Sequence, residues 1–159
     1  DSATHGWYPG SDGKVTYGEG VLVGYRHFDA HQVEPAFCFG HGLSYTTFAY
    51  GEPTVVADGA GVSVVVEVTN TGARRGSEVV QLYVGEVEAR VTRPVQELKA
   101  FAKIELDPGE TAAVHLELDE RAFAFWDGAI HGWAVEPGAF DLHLGSSSRA
   151  IHQSIRIER

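Results

Sequence analysis

Glu19 and Asp29 are the acids one would pair first in this sequence, because both sit in a stretch rich in glycine and aromatic residues. Two carboxyl groups, one protonated and one ionised, can act as a general acid and a general base. Other side chains also invite chemical readings. Trp7, Tyr8, Trp126 and Trp133 offer flat apolar rings on which a sugar could stack. Trp133 falls in the alternating phase of an expected strand, which assigns it to the core, whereas Trp7 lies in a loop-like segment and is the better ligand candidate. Arg74-Arg75 and the cluster from Arg90 to Arg93 place cations in expected loops.

Metal and thiol chemistry find less support. His115, His143 and His152 occupy the polar phase of their strands and are expected to face solvent or a partner surface. Neither a His-x-His pair nor His-Glu-x-x-His occurs, so no metal site is expected, and no cofactor either. His41 is read as a packed residue whose imidazole bonds to backbone. Cys38 is the single cysteine, so no intrachain disulfide can form. Lying between Phe37 and Phe39 with no identifiable base, it reads as a small buried apolar residue.

The elements that must carry these residues divide into two textures. Residues 1–50 are glycine- and aromatic-rich with little periodicity; residues 21–25 could be a strand or the start of a helix. The aromatics between Phe37 and Phe48 cannot bury themselves and are suited to lying against another body. From residue 51 to 159 the pattern becomes strand, turn, strand. Val62, Val64, Val66 and Val68 alternate, as do Val80, Leu82 and Val84, with Gln81 and Tyr83 on the opposite face. Asn70-Thr71-Gly72, Asp107-Pro108-Gly109, Asp127-Gly128 and Pro137-Gly138 mark turns. Seven or eight short strands so spaced predict a mainly β fold: an antiparallel sandwich of the immunoglobulin or fibronectin type III-like kind, with an irregular N-terminal extension. A closed barrel is the alternative.

Composition narrows the partners. The net charge is −10, from 22 acidic against 12 basic residues, which disfavours nucleic acid and anionic membrane. No apolar run is long enough to span a bilayer. The chain lacks methionine altogether and is therefore expected to be a piece of a longer protein. The lone cysteine, and an only asparagine, Asn70, outside any glycosylation sequon, favour a bacterial cytoplasmic setting over a secreted one.

Several stretches resemble the C-terminal region of family 3 glycoside hydrolases of the β-glucosidase type. Tyr17-Gly18-Glu19-Gly20 with Val23-Gly24-Tyr25-Arg26 and Phe28-Asp29 is similar to the end of that family's α/β-sandwich domain. The run from Phe39-Gly40-His41-Gly42 to Leu43-Ser44-Tyr45-Thr46-Thr47-Phe48 is similar to its junction into the last domain. Asn70-Thr71-Gly72, residues 78–84, Arg93-Pro94, Glu97-Leu98-Lys99 and Gly145-Ser146-Ser147-Ser148 continue the likeness through the fibronectin type III-like domain.

The resemblance implies a parent that hydrolyses β-glycosides with retention, using an aspartate nucleophile and a glutamate acid/base that both lie upstream of the matched segments. It therefore implies no catalytic residue here, and it reassigns Glu19 and Asp29 to capping, turn formation or pairing with Arg26. The implied partners are the upstream catalytic domains, the parent's β-glycoside substrate and, left open, a second copy of the enzyme. The loop at residues 87–94 becomes the first choice for a functional surface, with Trp7, Arg90 and Arg93 as candidate substrate-binding residues. The competing reading is an autonomous carbohydrate- or polymer-binding module; a self-contained enzyme is the third.

Overall fold

Valine alternation fixes the centre of the molecule. In the strand β3 (Gly61–Asn70), Val62, Val64, Val66 and Val68 are all buried, while Ser63 and Val65 between them are only partly so and Glu67 is exposed. Each such side chain withdrawn from water contributes about 1.5–3 kcal/mol, which makes the register of this strand hard to shift. The computed structural model describes residues 2–59 and 61–159 of the chain. One edge of β3 pairs with β1 (Phe48–Tyr50) and β2 (Thr54–Asp58), and the other edge pairs with β6 (Thr111–Leu118), all antiparallel.

A second antiparallel sheet has the order β10 (Ile151–Glu158), β9 (Ala139–Gly145), β4 (Gly76–Glu86), β5 (Glu97–Leu106). Val80, Leu82 and Val84 of β4 and Phe140, Leu142 and Leu144 of β9 share one buried cluster with the β3 valines. The two sheets therefore form a sandwich around a common core, as the alternation predicts. A hairpin of β7 (Phe125–Asp127) and β8 (Gly132–Ala134) pairs only with itself and belongs to neither sheet. The described residues thus contain ten strands, more than the seven or eight expected, because short pieces such as β1 and β7 carry too few residues to show a period.

Turn chemistry behaves as its residues require. At Asp107-Pro108-Gly109 the amide of Glu110 donates to the Asp107 carbonyl at 3.0 Å, and Gly109 takes a φ of 77°. Asn70, fully buried at the end of β3, satisfies its whole side chain. Its amide nitrogen donates to the carbonyls of Arg74 and Leu106 at 2.8 and 2.9 Å. Its oxygen accepts from the Thr46 hydroxyl at 2.6 Å and the Gly72 amide at 3.1 Å. One residue so ties the ends of both sheets to the segment that enters the sandwich.

That entering segment is folded. Residues Tyr25–Ala30 form the helix α1; of the stretch left open at residues 21–25 only Tyr25 is helical, and residues 21–24 are neither strand nor helix. The helix lies on the face of β4 opposite the core. Gln81 and Tyr83 point outward from the sandwich as expected, yet are only 5% and 0% exposed. Tyr25 covers Tyr83 edge-on at 6.2 Å and stacks on Phe39 at 4.5 Å.

Burial also makes one carboxyl expensive. Glu78 lies half-buried on β4, and desolvation raises its pKa, only partly offset by the Val79 amide donating to it at 2.8 Å. A folded-state value above the unfolded one means that the ionised group costs stability at neutral pH, a cost removed as pH falls below about 4.5. Glu78→Gln is expected to raise the melting temperature at pH 7.5, with the gain fading towards pH 4. A variant that melts lower at pH 7.5, or whose gain is independent of pH, contradicts this.

Candidate functional site

Where the loop after β4 passes the free hairpin, a groove of about 650 Å³ opens. Its walls come from five parts of the chain: Val21 before α1 and Arg26 within it, Val91 to Pro94 of the loop, Glu97 and Lys99 of β5, Asp119 and Arg121 of the turn after β6, and Phe125, Trp126 and Trp133 of the hairpin. The loop favoured from the sequence is thus part of the groove. So is the hairpin, whose indoles meet edge to face at 5.6 Å. Trp133 is 49% exposed, against the expectation of a core position. The reason is topological: β7 and β8 pair only with each other, so their alternation carries no information about the sandwich interior. The guanidinium of Arg121 lies 3.5 Å from the centroid of the Trp133 ring, a cation–π contact that fixes the indole.

The charges of the groove are committed to one another. Arg93 is nearly buried; it pairs with Glu86 at 2.5 Å and donates to the Phe123 carbonyl at 2.9 Å. Glu97 receives Arg26 at 2.9 Å, Lys99 at 3.3 Å and Arg93 at 3.5 Å. Its carboxylate oxygens are thus taken up by three cations of the same protein rather than turned towards the open groove. Asp119 accepts from the Ala122 amide at 3.0 Å, capping a single turn of 3-10 helix, Glu120–Ala122. The groove offers apolar and aromatic surface with fixed charges, which suits binding or packing better than acid–base catalysis.

The remaining candidates scatter. Arg90 lies outside this lining, its exposed side chain bridging Glu136 at 2.6 Å and Asp127 at 3.2 Å. Trp7 sits in a separate concavity with Tyr8, Pro9 and Lys14, its ring so close to Gly18 that a Cβ there would come within 2.2 Å of it. Asp29 has a structural role, pairing with Arg149 at 2.9 Å, while Arg26, one of the partners considered for it, pairs with Glu97. Among the described residues Glu19 has one buried carboxylate oxygen without a hydrogen-bond partner.

The histidines are also apart. His115 is exposed. His143 meets the Ser154 hydroxyl at 2.8 Å, with its pKa lowered by desolvation, and His152 stacks on Tyr50 at 4.2 Å. His41 is exposed beside Phe37, with ring centroids 5.3 Å apart, rather than packed and bonded to backbone. Glycines on both sides leave nothing to enclose it. Cys38 is half-buried, not fully so, and donates to the Ser147 hydroxyl at 3.3 Å. No group of three metal-ligating side chains converges among the described residues.

What the sequence did not mark is the polar seam under the N-terminal segment. Gln81 donates to the Ser146 carbonyl at 2.6 Å and to that of Gly40 at 3.3 Å, and accepts from the Tyr83 hydroxyl at 2.5 Å. Gly40, with φ of 80°, leaves no space for a side chain: a Cβ would stand 2.2 Å from the Gln81 amide oxygen. Arg149 donates to Asp29, to Glu34 and to the carbonyls of Phe28 and Val33, all within 3.2 Å. Nothing in residue type alone distinguishes Gln81 or Arg149 from ordinary surface residues.

Comparison with known proteins agrees with this architecture. Residues 78–148 match the family model described as a fibronectin type III-like domain. The chain is 47% identical over 156 residues to thermostable beta-glucosidase B of Acetivibrio thermocellus, covering 94% of this chain and 21% of that protein. An exo-alpha-(1->6)-L-arabinopyranosidase of Bifidobacterium breve is 43% identical, with 94% of this chain and 20% of that protein covered. The crystal structure of a GH3 beta-glucosidase from Bifidobacterium adolescentis superimposes with a TM-score of 0.93 at 43% identity, over 96% of this chain and 23% of that one. The chain spans about a fifth of the length of the relatives it matches. Residues 78–148 carry a fibronectin type III-like domain, and nearly the whole chain is similar to the C-terminal region of glycoside hydrolase family 3 beta-glucosidases.

Proposed function

We propose that the chain serves as the non-catalytic C-terminal part of a retaining β-glycosidase of the β-glucosidase type, packing on upstream catalytic domains and stabilising them. The observation that carries this reading is the distribution of exposed large apolar side chains. Tyr17, Phe37, Leu43 and Tyr45 are 80%, 76%, 94% and 93% exposed, all within the segment that precedes the sandwich. Single exposed apolar residues are ordinary, but four on one short segment mark a surface meant to be covered. The covering body is the domain that precedes this region in the relatives. Burying that surface would stabilise the assembly by roughly 25 cal/mol per Å².

On this reading the candidate substrate-binding residues divide by what holds them. Arg93, buried against Glu86, positions the loop at residues 87–94, since breaking a buried ion pair typically costs about 3–5 kcal/mol. Arg90 and Trp7 are accessible enough to touch a substrate or a second enzyme copy at the rim. The relatives named as glucosidases and as an arabinopyranosidase share this region at similar identity, so the glycone is selected elsewhere.

The purified chain, its mass confirmed intact, is expected to release no chromophore from an aryl β-glucoside above the buffer rate. Turnover that persists through re-purification would overturn the reading. A second reading, an autonomous carbohydrate-binding module, is favoured by the exposed Trp126–Trp133 pair in the groove. Affinity electrophoresis in soluble β-glucan separates the two. The packing role predicts unretarded migration; retardation abolished by Trp133→Ala would establish the module instead.

A further inference from the structure

His27 and His31 lie one helical turn apart, at the end of α1 and at its C-cap, a spacing that puts both side chains on the same face. Their ring centroids are 4.3 Å apart with the planes tilted by 34°. The Nδ1 of His31 is 3.0 Å from the carbonyl oxygen of His27 and, facing an acceptor, must carry the proton. That bond selects the tautomer whose Nε2 lone pair is free, the arrangement that orients metal-binding imidazoles in general. His31 is exposed and His27 half-exposed, so an ion can reach both.

We infer that His27 and His31 form a two-histidine chelate for a divalent transition-metal ion of the nickel, copper or zinc class, which prefers imidazole nitrogen. The acids that follow in sequence do not complete the shell: Asp29 and Glu34 are both engaged by Arg149 at 2.9 Å. Among the described residues no third histidine, cysteine or carboxylate joins the pair, so the remaining coordination positions fall to water or to a ligand from outside. The spacing is informative only on a helix, and for that reason a search for His-x-His and His-Glu-x-x-His passes over it.

Isothermal calorimetry with Ni²⁺ at pH 7.5 tests the site on the 159-residue chain. The parent is expected to show one saturable site, weakened at least about tenfold by His27→Ala or by His31→Ala, since one remaining imidazole cannot chelate. His115→Ala, an exposed histidine on β6, is expected to bind as the parent does, and unchanged thermal melts show that the variants are folded. The proposal is overturned if the parent does not saturate, or if the double variant His27→Ala/His31→Ala binds Ni²⁺ as tightly as the parent. Cu²⁺ electron paramagnetic resonance gives an independent reading: two coordinated nitrogens in the parent support the chelate, and one refutes it.

Discussion

The outer face of β4 must be covered, and the arrangement of everything before β1 follows from that need. Gln81 and Tyr83 alternate away from the core, yet both are removed from water, and a buried amide or phenol without a partner costs about 1–3 kcal/mol. The partners come from two directions. Ser146 is supplied by the turn after β9, and Gly40 by the segment that enters the sandwich. Tyr83 bonds to Gln81 itself, and burial pushes its phenol pKa up, so the hydroxyl stays a donor. The Ser148 amide then fixes the Phe39 carbonyl at 2.9 Å, and the Tyr25 hydroxyl accepts from the Leu98 amide at the same distance. The sheet is thereby sandwiched twice, by valines and leucines on one side and by an aromatic and polar layer on the other.

Charge pairing extends the same logic around the edge of the sheet. Arg26 reaches from α1 to Glu97 on β5, and Arg149 reaches from the loop after β9 back to α1. These half-exposed pairs contribute modestly one by one, but they bind separate parts of the chain and so oppose the peeling of the segment. The buried Arg93–Glu86 pair does the equivalent for the groove loop, with the Phe123 carbonyl taking a further donor. Among the large apolar side chains left exposed, Tyr17, Phe37, Leu43 and Tyr45 lie in the entering segment and Trp126 and Trp133 in the hairpin. A family in which this region is about a fifth of each relative supplies ample protein to cover such surfaces.

The legible part of the sequence was the part governed by a period. Alternation in residues 62–68, 80–84 and 140–144 located the core strands, because a residue on the wrong face of a half-buried strand is costly. Proline and glycine located the turns because their backbone preferences are local. Trp133 was misplaced since a free hairpin alternates without touching the core. The pairing of Asp29 with Arg149 spans most of the chain, and no local pattern encodes it. Arg90, Arg93 and Trp7 were singled out by type, yet type does not reveal that Arg93 is nearly buried or that Trp7 lies against Gly18. The helix α1 was hidden by its length, six residues being too few for a 3.6-residue period to assert itself.

Whether the entering segment and the sandwich form one body is decided most directly by amide hydrogen exchange at Ser148 and Leu98. Their protons are held by the Phe39 carbonyl and the Tyr25 hydroxyl, both contributed by that segment. Docking predicts protection at both amides comparable with the core amides of β4, and rapid exchange at exposed Leu43 and Tyr45. Exchange at Ser148 and Leu98 as fast as at Leu43 would contradict the account, leaving a bare sandwich with a detached N-terminal arm.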